Sequence, residues 1–208
     1  MKASAPGAAA EASVIGSRRK AGAKDATIHA EIAALSRMFT CAIDAGKLTP
    51  TPRPMFPSLG VIRNARKGVF EESQYAAVLK ELPEDLKPLV ETYYWTGWRK
   101  GELLTLRWSQ IDFIWGELRL DGAHTKNGQP RVFPFSELKP LADVLYRQRA
   151  HTDRVEQEIK RKVEWVFHRH GQAIKCYYGA WRSACTRAGV ADRKVLDFRG
   201  TAVDRLEW

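Results

Sequence analysis

Three cysteines, Cys41, Cys176 and Cys185, are all that the 208 residues contain, and no two stand in a CxxC spacing. That scatter excludes a disulfide framework and a thiolate zinc site, and it fits reduced thiols. Long apolar runs are missing as well. Nothing approaches the roughly 20 residues needed to cross a bilayer, so no membrane association is expected. Met1 to Ser17, rich in Ala, Gly and Ser, lacks the apolar core of a secretory signal, so a cytoplasmic protein is expected. Acid is the other shortage. Against 34 Lys and Arg stand 24 Asp and Glu, a formal net charge of +10. Such an excess favours a polyanionic partner, because neutralising phosphates releases condensed counterions.

What is present reads as a tail, a helix, a linker and a larger section. Residues 1–24 hold few large apolar side chains and are expected to be disordered, with a basic cluster at Arg18-Arg19-Lys20. Over 25–48, Ile28, Ile32, Leu35, Phe39 and Ile43 recur at helical spacing, with Thr27 as N-cap and Gly46 as stop. Pro50, Pro52, Pro54 and Pro57 make 49–65 an extended linker.

From residue 66 onward, helices are predicted around Tyr75–Leu79, Leu86–Tyr93 and Arg99–Gln110. The period then falls to two. Glu117–Leu120 and Arg131–Phe135 read as strands of a hairpin turning at Asn127-Gly128. Ser136 is placed as the cap of the next helix, Val163–Phe167 as a third strand, Tyr178–Ala188 as a helix and Asp197 as the start of the last. The fold class is therefore α+β, mostly α, with a small antiparallel sheet.

Three motifs carry the chemistry. The first is Thr96-Gly97-Trp98-Arg99-Lys100-Gly101-Glu102-Leu103-Leu104; the second is Thr125-Lys126-Asn127-Gly128 with Arg131-Val132-Phe133-Pro134 after it. The third is Leu196-Asp197-Phe198-Arg199-Gly200-Thr201-Ala202. Taken singly, Arg99 with Glu102 has a plainer reading as a surface ion pair, and Lys126 as a solvated turn lysine. In this order the three motifs resemble the tyrosine recombinases, also called phage integrases, from about Thr27 to Trp208. The resemblance implies a catalytic domain over 66–208, incomplete at its C-terminus, and a remnant last helix of a core-binding domain over 25–48.

It further implies a reaction in which arginines hold a DNA phosphodiester while a tyrosine attacks phosphorus. Arginine suits that task, since its planar fork donates bidentately and stays charged. Carried over by position, Arg99 and Arg199 are the two clamping arginines and Lys126 the general acid. Glu102, three residues after Arg99, orients the guanidinium from the same helix face. No cofactor is implied. His168 and His170 have no acidic or thiol partner at ligand spacing, and a structural role is preferred to a metal site.

Departures matter as much. The family usually has a histidine three residues before the second arginine, where this chain has Leu196, and a larger residue where Gly200 stands, a change expected to loosen the helix start. No tyrosine follows Arg199, and Tyr177 and Tyr178 precede it. The chain is therefore expected to be a truncated site-specific recombinase, inactive alone, with double-stranded DNA as partner and a homo-oligomer or a full-length recombinase beside it. The alternative is a non-catalytic DNA-binding or regulatory protein derived from an integrase.

Overall fold

The computed structural model describes residues 14–49, 56, 68–122 and 128–206. The chain divides into two compact units, Met1–Ala65 and Arg66–Trp208. The linker expected over 49–65 lies, apart from Thr49 and Phe56, outside the described residues, as do Asn127 of the predicted hairpin turn and Lys126.

In the first unit, residues 14–20 are helical, a correction to the disorder expected over 1–24. The basic cluster there meets acids from the next helix: Arg18 pairs with Glu31 at 2.6 Å and Arg19 with Asp25 at 2.9 Å. That helix, α1 (Asp25–Asp44), begins two residues before the predicted Thr27, with Asp25 in its first turn where the helix dipole favours a negative charge. It stops where predicted. Gly46 N–H donates to Ile43 O and Lys47 N–H to Ala42 O, the paired bonds of a Schellman ending. Ile28 is buried, while Leu35 and Met38 are exposed.

The second unit is mostly helical. It runs α2 (Glu72–Glu81), α3 (Lys87–Thr96), α4 (Lys100–Leu104), β1 (Ile111–Asp112), β2 (Glu117–Leu120), β3 (Arg131–Pro134), α5 (Lys139–Ile159), β4 (His168–Arg169), β5 (Gln172–Ala173), α6 (Tyr178–Arg187) and α7 (Phe198–Leu206). The first three strands form one antiparallel sheet in sequence order, and β4 pairs with β5. Leu120 lies opposite Arg131, so the segment containing Lys126 is closed at its base by that pair.

The helix predicted over Arg99–Gln110 is broken, and long-range backbone pairing is the reason. After Leu104 the chain runs extended beside residues 164–166: Trp108 N–H donates to Glu164 O and Val166 N–H to Leu106 O. The same contact replaces the strand predicted over Val163–Phe167 by a single bridge, Arg107 to Trp165. Ser136 sits inside a short 3-10 turn, Phe135–Glu137, and α5 starts at Lys139 with Pro140 in its first turn.

The core is a cluster of buried Leu, Val and aromatic residues from all the helices of this unit. Its aromatic part pins α7. Phe198 stacks on Phe70 with centroids 4.4 Å apart and lies 5.5 Å from Trp181 and 5.8 Å from Tyr94. Such pairs add about 0.5–1.5 kcal/mol each beyond burial. Arg205, near the far end of α7, lies 3.8 Å over the Tyr94 ring.

His168 is a buried core side chain. Its Nδ1 accepts from Gly171 N–H at 3.2 Å, so the proton sits on Nε2, 2.9 Å from Thr152 Oγ1. Burial, with His151 and Arg149 nearby, pushes its pKa down to about 4, and the ring is a neutral core group. No helix among the described residues is long and apolar enough to cross a membrane.

The C-terminal end of α5 is held by one carboxylate. Glu156 accepts from Lys162 Nζ at 2.8 Å and Val163 N–H at 2.9 Å and pairs with Arg149 at 3.3 Å. Lys162 and the Val163 amide, aided by Arg149, hold its pKa down at about 2. A depressed carboxylate stabilises the fold above its ordinary value and loses that contribution as pH falls through the folded value. Glu156→Gln should therefore lower the melting temperature at neutral pH, with the gap to the parent chain closing between pH 4.5 and about 2. Thermal unfolding across that range checks it.

Candidate functional site

The site is built where α3 ends. Gly97 takes φ of 60° and closes α3 by donating to Tyr93 O at 2.9 Å. A Cβ there would stand 2.7 Å from Ala202 Cβ on α7, so only glycine allows both the left-handed turn and the approach of α7. Through this contact the third motif reaches the first. Arg199 Nη1 donates to Gly97 O at 3.1 Å, across 102 residues of sequence.

Two residues on, Arg99 caps α4, and the cap is made by the glutamate the sequence pointed to. Glu102 Oε2 accepts from Arg99 N–H at 2.7 Å, the backward half of a capping box. Its other oxygen, Oε1, takes Arg99 Nη1 at 3.1 Å and also Arg131 Nη2 at 2.7 Å. Tyr93 steadies the same turn, its hydroxyl donating to Lys100 O at 3.1 Å.

Glu102 is 3% exposed, whereas the Arg99 and Arg131 side chains are 36% and 40% exposed. Burial alone would raise the Glu102 pKa. The Arg99 amide, the Arg99 guanidinium and Arg131 together outweigh it and hold the carboxyl below its ordinary value. Arg199 is half-buried, and burial followed by repulsion from Arg99 lowers its pKa, with Arg131 adding to the effect. Arginine nevertheless stays charged at any working pH. The centre thus holds three guanidinia against one carboxylate, a partly desolvated cationic spot suited to an oxyanion.

Of the predicted site residues, Arg99, Glu102 and Arg199 are brought together, and Lys126 lies outside the described residues. Arg131 was missed as a site residue. Its only signal in the sequence is its place at the first strand position after the hairpin segment. Leu196 is 61% exposed on the approach to Arg199. Behind it lies a cavity of about 280 Å³ whose walls include Tyr93, Trp98, Tyr177, Trp181 and Arg199.

Tyr177 is buried with its hydroxyl donating to Tyr93 Oη at 3.3 Å, and burial raises its pKa, so it is a core residue. Tyr178 is exposed. The loosening expected at Gly200 is corrected: α7 runs unbroken from Phe198, and a Cβ at Gly200 would press to 3.3 Å on Gly68 O. The glycine makes room for the approach of residues 68–70, where Phe70 N–H donates to Thr201 Oγ1 at 2.8 Å.

Residues 69–206 match the phage integrase family. A shufflon-specific DNA recombinase of Escherichia coli is 28% identical over 183 residues, covering 86% of this chain but 43% of that protein. The chain thus spans less than half the length of that relative. Among solved structures, a lambda integrase (75–356) dimer bound to a COC' core site aligns with 95% of this chain and 72% of its own, at 18% identity and a TM-score of 0.62. A lambda integrase tetramer bound to a Holliday junction aligns with 95% of this chain and 56% of its own, at 17% identity and the same TM-score. At these identities the likeness is one of fold.

Neutralising Glu102 should leave Arg99 and Arg131 facing each other across an uncharged group. Glu102→Gln is expected to cost about 1.5–3 kcal/mol, the range for hydrogen bonds to charged groups. Equilibrium urea unfolding would read this as a lower midpoint, and an unchanged midpoint would mean the pair is not coupled through Glu102.

Proposed function

The chain belongs to the phage integrase family, and from that we propose that it binds double-stranded DNA by holding a backbone phosphate between Arg99 and Arg199. The observation that carries this reading is the junction at Gly97, which brings two arginines 100 positions apart in sequence to one point. Core packing brings the start of α7 to Gly97, but it does not call for a charged side chain there. A phosphodiester does, because its two non-bridging oxygens each need a fixed donor as charge builds on them.

In this reading each residue has a distinct task. Arg99, locked by Glu102, presents its remaining N–H edge to one non-bridging oxygen. Arg199, carried on the aromatic-pinned start of α7, takes the other. Lys126, on the segment between β2 and β3, is the proton donor to the departing deoxyribose oxygen. Strand cleavage and rejoining through a phosphotyrosine also needs a nucleophile, and residues 200–208 contain no tyrosine. The reading for residues 1–208 is phosphate and DNA binding. Assembly into a homo-oligomer or with a full-length recombinase, a core-binding role for α1, and a cytoplasmic, nucleoid-associated place belong to the same reading.

A second reading, a non-catalytic DNA-binding or regulatory protein, is favoured by Leu196. A hydrocarbon 61% exposed beside Arg199 can neither donate to phosphate nor exchange a proton. Site-selective binding without cleavage would support it over weak binding with little sequence choice.

Titration of a fluorescein-labelled duplex against the protein at several salt concentrations tests the first reading. Arg99→Ala and Arg199→Ala should each weaken binding about tenfold, the loss of one charged hydrogen-bonding contact. Affinity equal to that of the parent chain in both variants would place the phosphate contacts elsewhere.

A further inference from the structure

Four arginines of the second unit are each matched with one acid. Arg107 meets Glu164, Arg147 meets Glu91, Arg169 meets Asp85 and Arg187 meets Glu81. Where cations share an acid, a second acid balances them: Arg149 and Lys162 face Glu156 and Asp153 together. Arg119, the other arginine of the hairpin, faces both Asp112 and Glu117. Glu102 is the exception. Two guanidinia converge on its Oε1, a third lies close enough to be perturbed by both, and Arg199 itself is hydrogen-bonded to the Gly97 carbonyl.

Resting on the phosphate-binding reading above, we propose that Arg131 is a third phosphate-contacting arginine, and that Glu102 sets the net charge of the centre. Arg131 is as accessible as Arg99, at 40% against 36% exposure, and its described hydrogen bond uses Nη2 alone of its donors. Since both guanidinia bind the same carboxylate oxygen, both lie within one hydrogen-bond length of a common point. A phosphate held by Arg99 is therefore within the reach of Arg131.

The charge count supports the same assignment. Three guanidinia and one carboxylate leave the centre at +2. A phosphodiester carries one negative charge, and a second develops as a nucleophile adds to phosphorus. A centre with two clamping arginines and a buried glutamate would hold only a single excess charge, matched to the ground state. With Arg131 the excess matches the pentavalent state, and interactions stronger there than in the ground state are the ones that speed a reaction. Arg131 also stands at the start of β3, opposite Leu120.

The plainer role for Arg131 is a structural clip that ties β3 to α4 through the buried Glu102. Salt dependence separates the two. Each phosphate contact adds about 0.9 to the steepness of log K against log salt concentration on duplex DNA. Measured with a fluorescein-labelled mixed-sequence duplex, Arg131→Ala should make that slope shallower by about 0.9, as Arg99→Ala does, and Arg131→Lys should restore it. Arg131→Gln, which keeps an N–H donor for Glu102, should give the same loss even if the alanine variant folds poorly. A parent-like slope in Arg131→Ala and Arg131→Gln, beside a shallower one in Arg99→Ala, would reduce Arg131 to a clip. Unchanged slopes in all three, Arg99→Ala included, would overturn the phosphate-binding reading itself.

Discussion

The buried carboxylate of Glu102 is the group on which the rest of the centre depends. It closes the first turn of α4 through the Arg99 amide, holds the Arg99 side chain and anchors the start of β3 through Arg131. These are three different structural tasks for two oxygen atoms. A carboxylate at 3% exposure is costly to ionise unless its acceptor positions are filled by charged donors. Here they are, and the charge on Glu102 and the placement of the two arginines support each other. Neither can be altered without moving the end of the hairpin and the start of α4 together.

A second constraint fixes where α7 may lie. At Gly97 an added Cβ would collide with Ala202, and at Gly200 it would press tightly on the backbone of Gly68. The aromatic group of Phe70, Trp181 and Phe198 supplies the attraction that drives these close approaches. Arg199 follows Phe198 directly. The side chain that reaches the centre is thus placed by an aromatic cluster of the core, whereas Arg99 and Arg131 are placed by their ion pairs with Glu102.

Much of this was legible in the sequence because it is local. The three-residue spacing of Arg99 and Glu102 yields the capping box, the alternation in Glu117–Leu120 and Arg131–Pro134 yields the hairpin, and Gly46 ends α1. What escaped depends on partners far along the chain. Pairing of residues 106–108 with 164–166 cuts one predicted helix short and removes one predicted strand, and no window of sequence contains both halves. Residues 14–20 hold arginines whose acid partners lie on α1, outside the segment itself. Arg131 has the same cause in sharper form. Its partner lies 29 residues away on another element, so charge patterning gave it no role.

The centre also differs from the ion pairs around it, where Arg107, Arg147, Arg169 and Arg187 each meet a single acid. At Arg199 a half-buried guanidinium faces two like charges with a carbonyl as its hydrogen-bond partner, an arrangement that costs stability in the unliganded protein. Such a cost persists only when surrounding packing over-determines the position, and the aromatic cluster at Phe198 does so. Sites where consistency between local and global preference fails are where function is to be sought. By that criterion the excess charge at Arg99, Arg131 and Arg199 is where the proposed phosphate site stands, and the exposed Leu196 beside it adds no polar donor there.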